Sequence, residues 1–496
     1  MNILELSEMD PKKFREMLVS GEIPVSVHGQ GYVGLPVSVL LALQGIKIIG
    51  VTKDKGALER IRKGESPIDE TDPNSILSAG AKETPNYCPI DSVRLFDYEG
   101  KLFCPMCLRC YEIVEGFSVM KKETIELKGK LATLQDYLKK ALEKGTYEIT
   151  DDNIGAASKS FIHIITVPTY ADDYSIVLKV CGEIGKALQQ DGNIIINKST
   201  VPVGATDEAE RKVEENTDKQ FGICHMQERI AEGRALKDVV EIPRTVGSRD
   251  GRVSAAAKVL FETLGPSVMT FSDPKITEAS KIFENSYRDC NIAIANDFAF
   301  FCEKKGLNVY EVIEAANTHI KTNIYQPGMV GGHCLPEDTY YVAKPLAELG
   351  EKNVIMAGRK LNEYVPEYAV EILESELKKD GKQLKGAKVC LFGVAFKGNT
   401  DDTRLTGALP IAKLLKERGA EVFVFDPWVP KEKQEEFGTS LALEEALDTD
   451  NIIITTEHTE FYGIDYKKGK FGILLDMRNV VDKIEGKRIL KFGVGR

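Results

Sequence analysis

The sequence lacks a long hydrophobic run: it has no stretch of about 18 uncharged apolar residues, the length needed to cross a bilayer. Residues 1–21 carry too many charges for the core of a signal peptide. Cysteine is scarce as well, with 10 in 496 residues, well below the density of a disulfide-stabilised secreted protein. These absences predict a cytoplasmic protein with no membrane-spanning segment.

The sequence also lacks an excess of basic residues. Lys and Arg number 65 against 76 Asp and Glu, so the net charge is −11, which argues against nucleic acid as a partner. We find no internal repeat, low-complexity tract or Gly/Ser-rich linker. With 43% hydrophobic and 28% charged residues, the composition is typical of a folded globular protein, and the length predicts roughly two to four domains.

A glycine-rich turn lies between two strand-like runs near the N-terminus. The apolar run at residues 24–28 leads into Gly29, Gly31 and Gly34, followed by a helical stretch at 37–44 and a second strand at 46–51. In such a βαβ unit one glycine permits the tight turn, one lets a pyrophosphate approach the backbone, and one lets helix and strand pack closely. The pattern favours a dinucleotide site over a turn that is merely tight.

The rest of the chain alternates strands and helices in the manner of parallel α/β proteins. Residues 275–315 contain no proline and one glycine, with apolar residues at helical spacing, so we expect long helices there. We therefore predict two Rossmann-like parallel-sheet domains joined by a long-helix central region. The runs that read as strands are residues 161–167, 193–197 and 245–247 in the first domain, and 387–392, 421–425, 451–455 and 472–475 in the second.

Nine segments occur along the chain in a fixed order: GQGYVGLPVSV, GESPI, VPTY, KSTVPVG, QERIAEG, KIFENSYRDCNIAIAND, PGMVGGHCLPED, VAFKGNTDDTR and FDPWVP. Together they resemble the UDP-glucose/GDP-mannose dehydrogenase family of nucleotide-sugar 6-dehydrogenases, most closely its UDP-N-acetylhexosamine members. The resemblance covers nearly everything outside about residues 69–130. It implies a cofactor domain over 1–260, a central helical region over 261–380 that forms a homodimer, and a nucleotide-sugar domain over 381–496.

The family oxidises a sugar C6 hydroxymethyl group to a carboxylate with two NAD+, and a cysteine holds the aldehyde stage covalently. Two hydride transfers at one carbon require the aldehyde to be trapped, and a thiolate is suited to that task. Lys281 and Asn285, at i and i+4, share one helix face. The resemblance implies that Lys281 stabilises oxyanion charge, Asn285 positions substrate or water, Asp338 assists proton transfer, Glu228 activates water and Thr200 lies at the nicotinamide. The residue that matches the family's nucleophilic cysteine is Cys334.

The resemblance also implies two sets of binding residues. Arg and Lys suit phosphate groups, the former through a bidentate fork and the latter as a point charge. The substrate set is Arg288, Lys321, His333, Lys397 and Arg404, and His333 favours the N-acetylhexosamine subgroup. The cofactor set is Gly29, Gly31, Tyr32, Val33, Gly34, Thr52, Lys53, Pro168, Thr169 and Thr200.

Two positions depart from the family pattern. Thr52 replaces the aspartate that takes the adenosine ribose hydroxyls of NAD, and Lys53 follows it, so NADP becomes the alternative cofactor. Lys321 stands where related sequences carry an arginine that reaches the substrate pyrophosphate from the neighbouring subunit; the charge is retained without the fork geometry.

The third departure is an insertion of about sixty residues, 69–130, in the cofactor domain. Four closely spaced cysteines there suggest a structural metal site, either zinc or an iron–sulfur cluster, with redox-active thiols as the alternative. These cysteines are Cys88, Cys104, Cys107 and Cys110.

The preferred function is NAD-dependent oxidation of a UDP-N-acetylhexosamine, with UDP-N-acetylmannosamine as first choice. UDP-glucose and GDP-mannose are alternative substrates. A β-hydroxyacid dehydrogenase would share the cofactor domain but would need neither Cys334 nor a second α/β domain. A non-catalytic redox or metal sensor is the remaining alternative, suggested by Thr52 and the cysteine-rich insertion.

Overall fold

The computed structural model describes residues 2, 4–6, 10–68, 70–72, 75, 81–87, 94–98, 101–104, 109–114, 117–124, 131–170, 173–231, 233–332 and 334–495. The chain divides into two compact units, Met1–Ile282 and Phe283–Arg496. Among the residues described, no helix is both long and apolar enough to cross a membrane.

The first unit alternates strands and helices. Its elements are α1 (Pro11–Val19), β1 (Val25–His28), α2 (Gly34–Leu43), β2 (Ile48–Val51), α3 (Lys55–Arg62), β3 (Lys82–Tyr87), β4 (Arg94–Tyr98), β5 (Lys101–Phe103), β6 (Arg109–Val114), β7 (Phe117–Thr124), α4 (Leu134–Glu143), β8 (Tyr147–Thr150), α5 (Asn153–Ser158), β9 (Ile162–Ile165), α6 (Ser175–Ala187), β10 (Asn193–Asn197), α7 (Ala205–Glu214), β11 (Phe221–Met226), α8 (Ala235–Glu241), β12 (Arg244–Gly247), α9 (Gly251–Glu262) and β13 (Val268–Phe271).

Eight of these strands form one sheet in the order β13-β12-β11-β10-β9-β1-β2-β8. Every neighbouring pair is parallel except β11 and β12, which are antiparallel. The central strands β1, β2, β9 and β10 are buried along their whole length, as expected for a parallel sheet covered on both faces. The predicted βαβ opening and parallel α/β class are confirmed; the antiparallel step at β12 was not predicted.

The insertion holds a separate sheet. Strands β3 to β7 pair with their sequence neighbours in a five-stranded antiparallel meander. Its two faces carry different small apolar clusters: Phe96 and Phe103 lie in one, and Leu95 and Tyr111 in the other.

A single long helix, α10 (Pro274–Lys305), crosses the boundary between the two units. The second unit then contains α11 (Val309–Asn317), α12 (Leu335–Ala343), a 3₁₀ segment at Lys344–Lys352, α13 (Val354–Lys379), β14 (Lys388–Phe392), α14 (Ala408–Glu417), β15 (Glu421–Phe425), α15 (Lys431–Gln434), β16 (Thr439–Ser440), α16 (Leu443–Leu447), β17 (Asn451–Ile454), β18 (Ile473–Asp476) and β19 (Arg488–Lys491).

The second unit has its own parallel sheet, in the order β16-β15-β14-β17-β18-β19. The strand order reverses between β14 and β17, and in doubly wound sheets ligands bind beyond the carboxyl ends of the strands at such a point. The predicted helices at 275–315 correspond to α10 and α11, and the four predicted strands to β14, β15, β17 and β18.

Candidate active site

The turn after β1 has the geometry that a dinucleotide requires. Gly29 has φ +105°, and a Cβ there would lie 2.6 Å from the carbonyl oxygen of Thr166. A Cβ on Gly34 would lie 1.8 Å from the Gly29 carbonyl oxygen, whereas a Cβ on Gly31 would meet nothing within 4 Å. A side chain would therefore clash with the protein at Gly29 and Gly34, whereas the space beside Gly31 is open and a pyrophosphate can approach there.

The first turn of α2 completes this cradle. Tyr32 and Val33 lead into the helix, and the N-cap residue Val33 makes no side-chain capping bond. The first backbone N–H groups of a helix have no partner within the helix, and they favour an anion at that end. The residues present thus fit the phosphates of NAD.

The end of β2 differs from the usual ribose site. The Thr52 hydroxyl accepts a hydrogen bond from the Asp54 backbone N–H at 3.3 Å. The Asp54 carboxylate accepts from the Ala57 N–H at 3.0 Å and caps α3. Lys53 donates to the carbonyl oxygen of Asp151. The nearest carboxylate along the chain is thus engaged as a helix cap, and a neutral hydroxyl stands at the strand end.

The loops after β9 and β10 lie side by side, as the carboxyl ends of neighbouring parallel strands must. Thr169, which follows Pro168, donates its hydroxyl to the Thr200 carbonyl at 2.7 Å. Ser199 donates to the Val167 carbonyl, also at 2.7 Å. Three of the expected cofactor residues are thereby brought together at one edge of the sheet.

Glu228, just beyond β11, lies in a buried ion pair with Lys198, just beyond β10. The Lys198 Nζ is 3.0 Å from Glu228 Oε2, and the two side chains are 1% and 13% exposed. The backbone N–H groups of Arg229 and Ile230 donate to the other carboxylate oxygen. Burial opposes ionisation, but Lys198 and the two N–H groups outweigh it and hold the pKa of Glu228 below its usual value. A carboxylate held so firmly is a weak proton acceptor and is better suited to orienting a neighbouring group.

The first turns of α10 are fixed to the end of β11. Thr277 lies 3.0 Å from the His225 ring, and Ser280 donates to Gln227 at 2.7 Å. Burial lowers the pKa of His225 to about 3, and the positive charges of Lys198 and Lys281 act in the same direction. The mostly buried Lys281 therefore shares with Lys198 the electrostatic environment of His225.

In the second unit, Asn285 of α10 is held at both ends of its side-chain amide. Its Nδ2 donates to the Asp338 carboxylate, and its Oδ1 accepts from Arg288. Asp338 is buried in the first turn of α12, and its backbone N–H bonds to the Cys334 carbonyl at 2.9 Å. Three predicted site residues thus meet in one hydrogen-bonded chain, one helical turn from Cys334.

Cys334 is the N-cap of α12, and its side chain is exposed. The positive end of a helix dipole favours negative charge at that position. The thiolate is the reactive form of cysteine, and the N-terminus of α12 favours its negative charge. The position of Cys334 therefore suits a nucleophile.

The glycines before Cys334 pack against the segment 396–406. The Gly332 N–H donates to the Arg404 carbonyl at 3.1 Å, and a Cβ on Gly332 would lie 2.9 Å from the Phe396 ring. The Arg404 guanidinium is aligned by the Asp402 carboxylate, with Nε at 2.9 Å from both oxygens. Lys397 is half-buried in the same segment. Two predicted substrate cations therefore lie on the segment that packs against the glycine turn.

Of the other two predicted substrate residues, Lys321 is not brought into this cluster. His333 lies outside the described residues. Lys321 is exposed on the loop after α11, next to the almost fully exposed Ile320. The expected reach of Lys321 into a second subunit stays a prediction.

The metal prediction for the insertion finds no support in the part of the chain that the structure describes. Cys88 and Cys107 lie outside it. Cys104 and Cys110 are buried in separate apolar clusters, one with Leu95 and Tyr111 and the other with Phe96 and Phe103. No group of three or more His, Cys, Asp or Glu among the described residues could hold a metal ion.

Sequence reasoning missed one charged pair in each of the two units. Lys198 was seen only as part of a motif, and its pairing with Glu228 becomes visible once the ends of β10 and β11 are known to be neighbours. Asp289 and Arg359 are charged residues on helices, which a sequence pattern places on a solvated face, whereas the structure buries both.

Comparison with known proteins gives matches along the whole fold. The NAD binding domain of the UDP-glucose/GDP-mannose dehydrogenase family matches residues 23–86 and 119–265, its central domain matches 275–364, and its UDP binding domain matches 390–483. The interruption at 87–118 contains all four clustered cysteines of the insertion.

Individual relatives agree with these matches. A UDP-N-acetyl-D-mannosamine dehydrogenase from Methanocaldococcus jannaschii is 31% identical over 469 residues, covering 94% of this chain and 91% of that protein. The structure of a UDP-D-ManNAc dehydrogenase from Pyrococcus horikoshii has a TM-score of 0.76 at 27% identity, covering 95% of this chain and 99% of that one. A UDP-glucose dehydrogenase structure from Pyrobaculum islandicum has the same TM-score at 25% identity, covering 95% and 98%.

The fold and the site therefore define an NAD-dependent nucleotide-sugar dehydrogenase. The chain belongs to the UDP-glucose/GDP-mannose dehydrogenase family.

Proposed function

We propose that the protein oxidises the C6 hydroxymethyl group of a UDP-N-acetylhexosamine, with UDP-N-acetylmannosamine as first choice, to the corresponding uronate in two NAD-dependent steps. The observation that carries this proposal is the exposed Cys334 at the N-terminus of α12, one turn from the Asn285–Asp338 pair. The named activity of the Methanocaldococcus jannaschii and Pyrococcus horikoshii relatives supports the choice of sugar.

The reaction balances as follows. NAD+, held by the glycine turn after β1, would supply the hydride acceptor for both oxidations. In the first, the alcohol loses a hydride and a proton and becomes an aldehyde. The Cys334 sulfur adds to that aldehyde to form a thiohemiacetal, which loses a second hydride and proton to become a thioester. Water then cleaves the thioester, giving the carboxylate and free Cys334, so that one sugar consumes two NAD+ and one water.

The protein's own groups have separate tasks in these steps. Asp338 accepts or returns protons at the reacting oxygen, and Asn285, held by Arg288, orients the substrate or the attacking water. Lys281 stabilises the negative charge that develops on the oxygen at C6. Glu228 keeps Lys198 and its own loop in place, which makes it an indirect contributor to water activation.

The sugar must be decided by experiment, since the relatives with a UDP-N-acetylmannosamine and a UDP-glucose name match the fold equally well. We would measure reduced-cofactor formation with UDP-N-acetylmannosamine, UDP-N-acetylglucosamine, UDP-glucose and GDP-mannose, each with NAD+ and NADP+. Turnover confined to an N-acetylhexosamine supports the proposal. Turnover confined to UDP-glucose or GDP-mannose replaces it with the alternative substrate, and no turnover favours the non-catalytic sensor.

The three-part organisation predicted from the sequence, with a dimer contact in the central region, is part of the same proposal. Within the second unit, α10 carries a row of exposed apolar side chains at helical spacing, which is typical of a helix that pairs with another copy. The row comprises Phe283, Tyr287, Ile294, Phe298 and Phe301. Phe298→Glu should convert a dimer into a monomer in light scattering, whereas Val19→Glu on α1 should not; a wild-type monomer would contradict the proposal.

A structural metal in the insertion remains a separate proposal that rests on the cysteine spacing alone. Metal analysis of the purified full chain tests it. About one zinc or one iron–sulfur cluster per chain, lost in Cys104→Ser, is the expected result. A metal-free, folded and active protein would refute it.

A further inference from the structure

A buried ion pair lies one helical turn along α10 from the Asn285–Asp338 contact. Asp289 follows Asn285 by one turn on α10 and is completely buried. Arg359 of α13 is 1% exposed, and its Nη1 lies 2.6 Å from the Asp289 carboxylate. A buried carboxylate with a buried guanidinium is costly to desolvate, and removal of one partner leaves an uncompensated buried charge.

A second residue of α13 completes the attachment to α10. Asn362, which lies on the same face as Arg359, donates to the Asp289 carboxylate at 2.9 Å and to its backbone carbonyl at 2.8 Å. Burial raises the pKa of Asp289, and the Arg359 charge opposes that rise. The Arg359 charge thus favours the ionised carboxylate, and the hydrogen bonds from Arg359 and Asn362 fix α13 to α10 at this point.

The same arginine also reaches the helix that carries the nucleophile. Its Nε lies 3.4 Å from Glu363 of α13, which accepts a hydrogen bond from the Tyr340 hydroxyl of α12 at 2.8 Å. Tyr340 lies two residues after Asp338 on α12. Arg359 thus connects α10, through Asp289, with α12, through Glu363 and Tyr340.

We propose that Arg359 is a positioning residue. By joining α10, α12 and α13, it holds the side chains of Asn285, Asp338 and Cys334 in their relative positions. The proposal rests on the oxidation described above, because it concerns the residues that would perform that reaction. Arg359 acts through the helices, because it contacts Asp289 of α10 and Glu363 of α13. A displacement of about 1 Å at a reacting group can cost roughly 10²-fold in rate, so even a small shift of α12 has a measurable effect.

The experiment compares Arg359→Met with Arg359→Lys and with a control that removes a different ion pair made to α13. The control is Arg418→Met, which removes a guanidinium that pairs with Glu374 of α13 at 2.8 Å and lies on neither α10 nor α12. Each variant is characterised by thermal unfolding, by kcat and KM, and by the rate at which iodoacetamide alkylates Cys334, followed by peptide mass spectrometry. The alkylation requires no sugar, so it reports on the position of Cys334 even if the assigned substrate is wrong.

The expected result for Arg359→Met is a fall in kcat of about 100-fold with little change in KM, because binding groups stay in place while reacting groups move. Alkylation of Cys334 should slow about fivefold as the thiol leaves its place at the N-terminus of α12. Arg359→Lys, which keeps the charge without the fork, should lie between wild type and Arg359→Met. Arg418→Met should keep wild-type kcat and alkylation rate.

A folded Arg359→Met protein of lowered melting temperature with wild-type kcat and alkylation rate would overturn the proposal, since Arg359 would then serve stability alone. If Arg359→Met does not fold, Arg359→Lys tests the proposal instead. A reduced kcat and slower alkylation of Cys334 in that variant support a positioning role, and wild-type values of both refute it. If wild type oxidises none of the sugars, the proposed function fails, and the alkylation rates still decide the role of Arg359.

Discussion

Asn285 donates a hydrogen bond from its side-chain amide to the carboxylate of Asp338 and so joins α10 to α12, the helix whose N-cap is Cys334. The two residues are 53 positions apart in sequence. Their contact fixes the Asp338 carboxylate one helical turn from Cys334, which is the position that the proposed proton transfer requires.

Asp338→Asn removes the proton-transfer group while keeping the size of the side chain. General acid–base catalysis contributes about 10²- to 10⁴-fold, so kcat should fall within that range. Steady-state kinetics with the best sugar measures it. Glu337→Gln, the neighbouring carboxylate in the same first turn of α12, is the control and should keep kcat close to wild type. Equal losses of kcat in both variants would mean that negative charge in the first turn of α12 matters, whichever residue carries it.

Lys198→Met should destabilise the first unit strongly. It leaves the buried Glu228 carboxylate without its cation, and breaking a buried pair in this way costs about 3–5 kcal/mol of unfolding free energy. Urea denaturation is the measurement. Glu228→Gln in the same chain should restore much of the loss. Lys212→Met, which breaks the exposed pair with Glu215, should cost less than about 1 kcal/mol. A small loss in Lys198→Met would show that the pair is not an important contact of the folded protein.

The free energy of unfolding should fall as the pH drops from about 6.5 to about 4. Burial lowers the pKa of His28 to about 4 and that of His163 to about 3, with the neighbouring His28 charge lowering the latter further. An unfolded histidine titrates near pH 6.5, so between about pH 6.5 and 4 the unfolded chain binds more protons and stability decreases with falling pH. Each such histidine contributes a slope of about 1.4 kcal/mol per pH unit.

His163→Gln tests this directly, since its ring lies between Ser26 and Asn193 in a buried hydrogen-bonded row that a glutamine amide can partly replace. The slope of unfolding free energy against pH from 6 to 5 should decrease by about 1.4 kcal/mol per unit relative to wild type. An unchanged slope would mean that His163 titrates normally in the folded protein.

Thr52→Asp should increase discrimination against NADP+. A carboxylate at the end of β2 accepts the two ribose hydroxyls of NAD+ and repels a 2′-phosphate. We expect the ratio of NADP+ to NAD+ dissociation constants, measured by calorimetry, to rise by at least about tenfold, equivalent to ~1.4 kcal/mol. Asp54→Asn, which alters the cap of α3, should leave this ratio unchanged. If Thr52→Asp leaves the ratio unchanged, residue 52 does not contact the ribose.

The sequence was sufficient for features with local spacing. The glycine turn was predictable because three glycines at fixed intervals between a strand and a helix serve one geometric purpose, and Lys281 and Asn285 because they lie four residues apart on one helix. Strand β11, Phe221–Met226, was not predicted, since its mixture of Gly, Cys and His does not read as an apolar run although the structure buries it.

Features that depend on the fold could not be read from the sequence. Lys198 pairs with Glu228 because β10 and β11 are parallel neighbours whose carboxyl ends meet at one edge of the sheet. Arg359 pairs with Asp289 because α13 packs on α10, 70 positions away in sequence. Such pairings require knowledge of which elements are neighbours, which neither periodicity nor composition supplies.

In the proposed reaction, Cys334 carries the sugar covalently between two oxidations. The direct measurement is a rapid-quench experiment with UDP-N-acetylmannosamine and NAD+, in which the mass of the Cys334 peptide and the ratio of reduced cofactor to uronate are determined together. We expect an acyl adduct on Cys334, a ratio of two reduced cofactors per uronate, and neither adduct nor uronate in Cys334→Ala. Uronate formed by Cys334→Ala at the wild-type rate would contradict it.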